Sequence, residues 1–306
     1  MKYHVFFTAK YTEPCLENGR FGATSVNSLV DVKKEDRAFL FDGSKWIIFG
    51  PLRIISENQF YESNDIYGRK ANNAVNFPNR IAFDNKEIRA IDLNKLFALE
   101  TEYKSDNFLL NRTLLAIIIA NKQVHSTPLT NKEGKYLENI ILENGVDIQT
   151  HNDSLPFNYN ASVLDNVIRK RKPKSEAIFE MLLMTIKPSP IFEANQKALI
   201  YNQFILGIQR QIDILSITET EIKIIEIKKR SNRTNPYSQV KEYLDYVNSD
   251  YRLLTDNGLT RQLRAIVLLE EGNIFLDKNQ VPIEGNISVY SFNCDSKYKI
   301  TFKNFA

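Results

Sequence analysis

The sequence predicts an α/β protein with a β-rich N-terminal domain and a C-terminal domain in which helices flank a mixed sheet. Three observations support this prediction. The chain has 306 residues, which exceeds one typical domain. Residues 1–85 consist of short apolar runs separated by turn residues, as in a β-rich domain. The second half of the chain alternates helix-like and strand-like segments, as in a sheet covered by helices.

Short strands are expected throughout residues 1–85. An Asp-Gly pair, Asp42-Gly43, separates two apolar runs, and this is a strong hairpin signal. The runs expected to form strands are HVFFTA (4–9), AFLFD (38–42), KWIIFG (45–50) and RIAF (80–83).

The next segment is expected to be partly helical. The run LLNRTLLAIIIANK (109–122) predicts a buried helix or strand. The run GKYLENIILENG (134–145) predicts a helix that ends at its terminal glycine. Both elements are assigned to the first domain as a helical extension.

A change in composition marks the expected domain boundary. Residues 150–168 are polar and rich in asparagine, which is typical of a connector. The basic stretch RKRKPKS (169–175) follows, and its proline interrupts regular structure. We therefore predict an N-terminal domain of residues 1–168 and a C-terminal domain of residues 169–306.

The C-terminal domain is expected to mix helices and strands. Ser175 is a suitable N-cap for a helix that runs to about Ile186, ahead of Pro188. Two β-rich runs, NQFILGIQ and RQIDILSI, come before a TETE turn at 218–221, and IKIIEIKK (222–229) forms the next strand. SQVKEYLDYVN then predicts a helix, and RAIVLLEE predicts another strand.

Two of these strands carry charged residues among apolar ones. Side chains alternate between the faces of a strand, so Glu226 and Lys228 share one face while Lys229 lies on the other. A hairpin closed at 218–221 places Asp213 near Glu226. Burying such groups is costly unless they are paired or functional. The trio is therefore either a salt-bridged strand on a solvated hairpin face or a functional cluster.

The functional interpretation of the trio is a metal site. Two carboxylates, from Asp213 and Glu226, form an oxygen-rich site for a hard cation, Mg²⁺ or its substitute Mn²⁺. Such a cation lowers the pKa of a bound water and neutralises charge that develops on a phosphodiester. Lys228 can orient the water or stabilise the phosphorus centre.

Composition limits the alternatives. Lys and Arg total 40 against 37 Asp and Glu, and the formal net charge of +3 does not decide whether the partner is anionic. The two cysteines, Cys15 and Cys294, form no CxxC pair and the three histidines are scattered, which disfavours a zinc site or a disulfide framework. Because no apolar run is long enough to span a membrane and no signal pattern is present, we expect a cytoplasmic protein without a membrane partner.

The residues around the trio resemble the PD-(D/E)xK nuclease superfamily, whose pattern is a helix Glu, a strand Asp, and then (D/E)xK on the next strand. The stretch from Lys174 to Val247 is similar in particular to the C-terminal nuclease domain of the NucS/EndoMS mismatch endonucleases. The matching residues are Ser175, Glu176, Ile212, Asp213, Ile214, Leu215, Glu226, Ile227, Lys228, Lys229, Gln239 and Tyr243.

The resemblance implies a Mg²⁺-dependent endonuclease that hydrolyses phosphodiester bonds in double-stranded DNA. By this resemblance Asp213 and Glu226 ligate Mg²⁺, and Lys228 positions the water. Glu176 supplies a further carboxylate, with Glu180 as the alternative.

The same resemblance implies roles for residues after the catalytic strand. Gln239 is expected to form a hydrogen bond near the scissile phosphate. Lys229, Arg230 and Arg233, with Asn232 and Asn235, follow this strand as a loop. Because the loop leaves the sheet at the active-site edge, its three basic residues are expected to grip DNA phosphates. The alternative for these three is a solvated run of charge.

The N-terminal run AFLFDGSKWIIFGPLRI (38–54) resembles the hairpin of PUA-like modules, among them the EVE and YTH domains. FPNRIAF (77–83) is similar to a Pro-Arg strand that some of these modules carry. The resemblance implies a barrel domain that holds a modified or flipped base in an aromatic cage. The candidate DNA-binding residues are the aromatics Phe21, Trp46 and Tyr61, with Arg53 as a phosphate partner. The alternative is that these aromatics belong to the core.

We expect a restriction-type endonuclease that reads a modified or flipped base. The first alternative is a nuclease for the repair of mismatched or branched DNA, because the C-terminal domain resembles that group. The second is a nucleic-acid-binding protein that does not cleave. A homodimer is expected if both strands are cut, since two cuts require two active sites.

Overall fold

The chain forms two compact units, each containing helices and a sheet. The structure is a computed structural model, which describes residues 1–99, 125–150, 162–185, 192, 198–207, 210–249, 255–256, 259–277, 281 and 285–305. The N-terminal unit is Met1–Lys170 with Gly207–Gln209, and the C-terminal unit is Arg171–Leu206 with Arg210–Ala306. The division after Lys170 falls within the basic stretch where the boundary was predicted. The α/β fold class is confirmed.

The N-terminal unit is built on a nine-stranded sheet. Its strands are β1 (Tyr3–Thr8), β2 (Arg20–Ala23), β3 (Arg37–Asp42), β4 (Ile47–Ile54), β5 (Phe60–Tyr61), β6 (Asn79–Asp84), β7 (Ile88–Asp92), β8 (Ser126–Leu129) and β9 (Val146–Ile148). The main path runs β2-β6-β4-β3-β1-β8, β5 pairs with β6, and β7 pairs with β4 and β9. β1 and β3 are parallel, whereas β3 and β4 form the predicted antiparallel hairpin. All four strands predicted in residues 1–85 are present.

The turn between β3 and β4 follows from local chemistry. Asp42 Oδ1 accepts hydrogen bonds from the backbone N–H groups of Ser44 and Lys45, at 2.9 and 3.0 Å. This pattern is typical of an aspartate that begins a turn. A Cβ atom at Gly43 would lie 2.6 Å from the Phe7 ring, so the close approach of that ring requires glycine.

The described residues of the N-terminal unit form four helices: α1 (Thr12–Asn18), α2 (Leu93–Ala98), α3 (Asn131–Asn144) and α4 (Val163–Arg169). α3 begins with a reciprocal capping box, in which Thr130 and Glu133 each accept the other's backbone N–H. It ends before Gly145, as predicted. The element predicted at 109–122 lies outside the described residues.

α4 lies within the segment that was expected to be a connector, so that prediction is wrong for these residues. Ser162 caps the helix by accepting a hydrogen bond from the backbone N–H of Asp165 at 3.3 Å. Val163 and Val167 are buried. Their spacing of four residues places them on one helix face, which explains a short helix in a polar stretch.

The C-terminal unit is built on a six-stranded sheet with the order β10-β11-β12-β15-β16-β17. These strands are β10 (Leu199–Gly207), β11 (Arg210–Ile217), β12 (Glu221–Lys228), β15 (Gln262–Glu270), β16 (Ile287–Cys294) and β17 (Ile300–Asn304). Two short strands, β13 (Thr255–Asp256) and β14 (Leu259–Thr260), pair with each other. The sheet is mixed, because β12, β15 and β16 are parallel, whereas β11 is antiparallel to β12 and β17 is antiparallel to β16.

In the part of this unit that the structure describes, two helices accompany the sheet, α5 (Glu176–Thr185) and α6 (Pro236–Ser249). Ser175 caps α5, as predicted, since its Oγ accepts a hydrogen bond from the backbone N–H of Ile178 at 3.4 Å. Pro188 lies outside the described residues. None of the described helices is long and apolar enough to cross a membrane.

α6 covers one face of the sheet and connects β12 to the parallel strand β15. Its buried residues follow helical spacing, and they pack in one core with alternate residues of β12. These residues are Val240, Tyr243, Leu244 and Val247 of α6 with Ile222 and Ile224 of β12. The alternation predicted for β12 is therefore confirmed, and it places Glu226 and Lys228 further along the face that α6 covers.

Candidate active site

The β11–β12 hairpin brings Asp213 to Glu226. The backbone N–H of Thr218 donates to the Glu221 carbonyl at 2.9 Å and closes the turn. Pairing then continues to Ile214 opposite Ile225, so Asp213 and Glu226 are the next residues on the two strands. At this point Asp213 Oδ2 accepts a hydrogen bond from the backbone N–H of Ile227 at 2.8 Å. The side chain of Asp213 is thus bonded to the backbone of β12, beside Glu226.

Glu226 is the most enclosed member of the trio. It has 0% of its surface exposed, and Lys228 Nζ donates a hydrogen bond to its Oε1. Its other oxygen, Oε2, is buried and has no hydrogen-bond partner in the described part of the chain. Leaving a buried carboxylate oxygen without a partner is costly, so such an atom calls for an explanation.

The charges of the trio perturb one another strongly. Burial raises the pKa of Glu226 well above its usual range, and the Asp213 carboxylate raises it further despite the ammonium of Lys228. Burial also raises the pKa of Asp213, to about 6. Burial lowers the pKa of Lys228, but the carboxylates of Glu226 and Asp213 outweigh this and raise it overall. One buried carboxylate and one half-buried carboxylate beside a single ammonium need further positive charge to be ionised together at low cost.

Asp213 and Glu226 are the residues that could hold a cation here. Mg²⁺ sites commonly use one or two protein carboxylates, with water and substrate oxygens as the remaining ligands. The Oε2 atom of Glu226 fits this donor set, because it has no hydrogen-bond partner among the described residues. Among the described residues no three His, Cys, Asp or Glu side chains are grouped to hold a metal ion.

Of the two candidate helix carboxylates, Glu176 lies beside the trio. Its Oε1 accepts hydrogen bonds from Asn232 Nδ2 at 2.8 Å and from the backbone N–H of Lys229 at 3.2 Å. Burial is the largest cause of the raised pKa of Asp213, and the charge of the Glu176 carboxylate also raises this pKa. Glu180 is buried one turn later and accepts a hydrogen bond from Gln203 at 3.4 Å. Asn232 was predicted only as part of the loop that grips phosphates, so its hydrogen bond to Glu176 was not predicted.

Gln239 reaches the site through Tyr243. Gln239 Nε2 donates to the Tyr243 hydroxyl at 2.6 Å, and that hydroxyl donates to the Gln211 carbonyl at 2.8 Å. Burial and the charge of Glu226 raise the pKa of Tyr243, so its hydroxyl remains protonated and can donate. The pair fixes β11 two residues before Asp213. The contact between these two side chains was not predicted, although their spacing of four residues puts both on one helix face.

The three basic residues after β12 differ in their surroundings. Lys229 is half-buried, and Arg233 is exposed. The backbone N–H of Arg230 donates to Glu270 Oε2 at 2.7 Å, and its Nε donates to the Glu271 carbonyl at 2.5 Å. The guanidinium of Arg230 is thus held at the turn after β15. Phosphate contact by these residues stays a prediction.

The predicted DNA-binding residues of the N-terminal unit do not meet in one place. Phe21 is buried and stacks on Phe6 with the ring centroids 4.5 Å apart. Trp46 is 42% exposed, so the alternative that placed it in the core is wrong. The Tyr61 ring lies 4.8 Å from Lys170 Nζ. Arg53 pairs with Asp84 at 3.2 Å.

Comparison with known proteins assigns no family to this chain. No protein-family model matches it, and a search of curated proteins found no match. The resemblances to PD-(D/E)xK nucleases and PUA-like modules therefore stay predictions, and the function is argued from the site itself.

Proposed function

We propose that the protein is a Mg²⁺-dependent DNA endonuclease of the PD-(D/E)xK type. The observation that carries this proposal is the trio of Asp213, Glu226 and Lys228, in which one buried carboxylate oxygen has no partner among the described residues. The order of elements supports it, since a helix that begins with Glu176 comes first, then the strands with the trio, then α6 and the parallel strand β15. This is the order in which the superfamily pattern places its residues.

A purely structural ion pair explains the trio less well. Lys228 pairs with Glu226, and Asp213 adds a second carboxylate to the same buried region. Ion pairs that only support a fold are stabilising when each charge is matched and each oxygen is bonded. Here the carboxylates exceed the ammonium groups, so a bound cation supplies what the chain lacks.

The residues of the trio have separable roles. Asp213 and Glu226 would hold Mg²⁺, which when bound lowers the pKa of water and neutralises charge on a phosphodiester. Because its pKa is raised, Lys228 remains an ammonium at neutral pH. It therefore acts as a donor that orients water or stabilises charge on phosphorus, and not as a general base.

The surrounding residues hold these groups in place. Glu176 ties the start of α5 to the loop after β12 through Asn232. Gln239 and Tyr243 fix the start of β11. Contacts of this kind matter because small displacements of reacting groups reduce rates strongly.

The proposed biological role is that of a restriction-type endonuclease, with the N-terminal unit supplying recognition of a base. Contacts to phosphates position DNA but do not specify its sequence, so selectivity must come from outside the trio. The likeness of the C-terminal unit to NucS/EndoMS nucleases makes cleavage of mismatched or branched DNA the second candidate.

Incubation of the purified protein with plain, methylated and mismatched duplexes tests the proposal. We expect cleavage in Mg²⁺ or Mn²⁺ and none in EDTA, because both proposed ligands are carboxylates. The duplex that is cut fastest separates the restriction role from the repair role. Cleavage that persists in EDTA contradicts the proposal. Binding of DNA without cleavage in either metal would establish a protein that binds and does not cut.

A further inference from the structure

Two short segments of the C-terminal unit are rich in lysine and arginine. The first comes directly before α5, and the second is the turn between β16 and β17. Four of their five basic side chains are exposed, and Lys172 is half-buried. We call this set the basic surface, and its members are Arg171, Lys172, Lys174, Lys297 and Lys299.

Hydrogen bonds hold the two segments against each other. The hydroxyl of Tyr298, a buried residue of the turn, donates to the Lys172 carbonyl at 2.6 Å. Lys174 Nζ donates to the Cys294 carbonyl. Arg171 and Tyr298 have φ angles of 45° and 61°, which are costly for residues other than glycine and persist only where the surroundings hold them. The basic surface is therefore a fixed part of the unit and not a loose run of charge.

Positive charge on this surface is poorly balanced. Asp295 Oδ1 accepts hydrogen bonds from the backbone N–H groups of Lys297 and Lys299, at 2.8 and 2.9 Å. The bond from Lys299 is the largest cause of the lowered pKa of Asp295, and the charges of Lys174 and Lys297 lower this pKa further. Ammonium groups from both segments thus lie near one carboxylate. In the described part of the chain, no member of the basic surface forms an ion pair.

The basic surface lies at the edge of the sheet that carries the trio. Because β12, β15 and β16 are parallel, their carboxyl ends at Lys228, Glu270 and Cys294 meet at one edge. Neighbouring strands are about 4.8 Å apart, so β16 lies roughly 10 Å from β12. Glu176, which lies beside the trio, follows Lys174 by two residues.

Arg230 lies between the trio and the basic surface. Its backbone N–H donates to Glu270, and its guanidinium donates to the Glu271 carbonyl. A cation therefore stands beside the two carboxylates that follow each other at the end of β15. Positive charge continues from Lys228 past Arg230 to the basic surface.

We propose that the basic surface binds the phosphate backbone of DNA on one side of the phosphate that is cut. Exposed ammonium and guanidinium groups pair with phosphate oxygens and release counterions. A separation of roughly 10 Å is about the rise of three nucleotides along one strand, so the contacted phosphates lie about that far from the trio. This inference rests on the proposed nuclease function, and it adds a phosphate contact to the loop after β12. Such a contact is the same for every DNA sequence.

A salt titration of DNA binding tests this assignment. Fluorescence anisotropy with the full-length protein in EDTA gives the association constant for a labelled duplex at several NaCl concentrations. The logarithm of this constant falls linearly with the logarithm of salt concentration, with a slope of about −0.9 for each phosphate contact. Lys297→Gln/Lys299→Gln should therefore make the slope shallower by about 1.8, which is roughly 60-fold weaker binding in 0.1 M salt. Plain, methylated and mismatched duplexes should lose affinity by the same factor.

Two matched variants serve as controls. Lys132→Gln/Lys135→Gln removes two exposed charges from α3 and should leave the slope unchanged, although the net charge of the protein changes equally. Lys297→Arg/Lys299→Arg keeps both charges and should keep the slope of wild type. Thermal melting verifies that all three variants are folded.

The outcomes separate this proposal from the proposed function. A slope that Lys297→Gln/Lys299→Gln leaves unchanged, or that the α3 control changes as much, overturns the role of the basic surface. Because the titration contains no metal, it does not depend on cleavage. A protein that shows the expected change of slope but cuts no duplex in Mg²⁺ would contradict the nuclease and leave the basic surface established.

Discussion

Replacement of Asp213 by Asn is expected to stabilise the metal-free protein at neutral pH. Burial raises the pKa of this carboxyl from 3.8 to about 6. At pH values between these two pKa values, Asp213 has lost its proton in the unfolded chain and keeps it in the folded chain. The free energy of unfolding therefore falls as pH rises through this window, and the stability present below about pH 4 is lost above about pH 6.

The size of this loss follows from the shift in pKa. A shift of about two pKa units corresponds to about 3 kcal/mol of free energy of unfolding. This is an upper value, because the ionisation of the other charged groups of the trio changes together with that of Asp213. Asn resembles the protonated carboxyl and retains an oxygen for the backbone N–H of Ile227, which Asp213 bonds at 2.8 Å. The variant should therefore avoid most of the loss.

Urea denaturation in EDTA at about pH 4 and about pH 7 measures the effect. We expect Asp213→Asn and wild type to be similar at the lower pH and the variant to be more stable at the higher one. Asp245→Asn, on the exposed face of α6, is the matched control and should change little at either pH. A variant that is less stable than wild type at the higher pH would refute the reasoning. It would show that attraction to Lys228 outweighs the cost of burial.

Three further predictions concern single side chains. Lys228→Ala should reduce the cleavage rate by roughly 10²–10³-fold while Mg²⁺ affinity is retained. Lys229→Ala changes a residue on the other strand face and should reduce the rate much less. Equal losses of rate in a cleavage assay would show that the face is misassigned. Tyr243→Phe removes a hydroxyl that fixes β11, and thermal melting should show a loss of about 1 kcal/mol with slower cleavage. Gly134→Ala would place a Cβ atom against the Tyr3 ring, so the N-terminal unit should lose about 1–3 kcal/mol in denaturation, and an unchanged midpoint would contradict this packing.

The trio could be predicted from sequence because its signals are local. Alternation along a strand sets the face of Glu226 and Lys228, and a four-residue turn sets the partner of Asp213. The same local signals predicted the cap of α5 at Ser175 and the end of α3 before Gly145. β16 and β17 were not predicted, and α4 was mistaken for part of a connector because its two buried valines stand among polar residues.

The packing of Tyr11 and His125 against Phe77 in the N-terminal unit, with ring centroids 5.3 and 5.9 Å apart, could not be predicted, because the three residues come from distant parts of the chain. Tyr11 follows β1, Phe77 precedes β6, and His125 precedes β8. β1 lies between β3 and β8 in the sheet, and no periodicity in the sequence encodes that order. The resemblance of residues 38–54 to the hairpin of PUA-like modules indicated Trp46 instead.

The catalytic assignment of Glu226 is tested most directly by one pair of cleavage rates in saturating Mg²⁺. Glu226→Gln removes the charge of the buried carboxylate, and Glu221→Gln removes a charge from the start of the same strand, where Glu221 pairs with Lys223 at 3.0 Å. With DNA binding verified for both, we expect Glu226→Gln to cut at least ~10³-fold more slowly and Glu221→Gln to cut near the wild-type rate. A Glu226→Gln protein that cuts as fast as wild type would contradict a catalytic role for the trio.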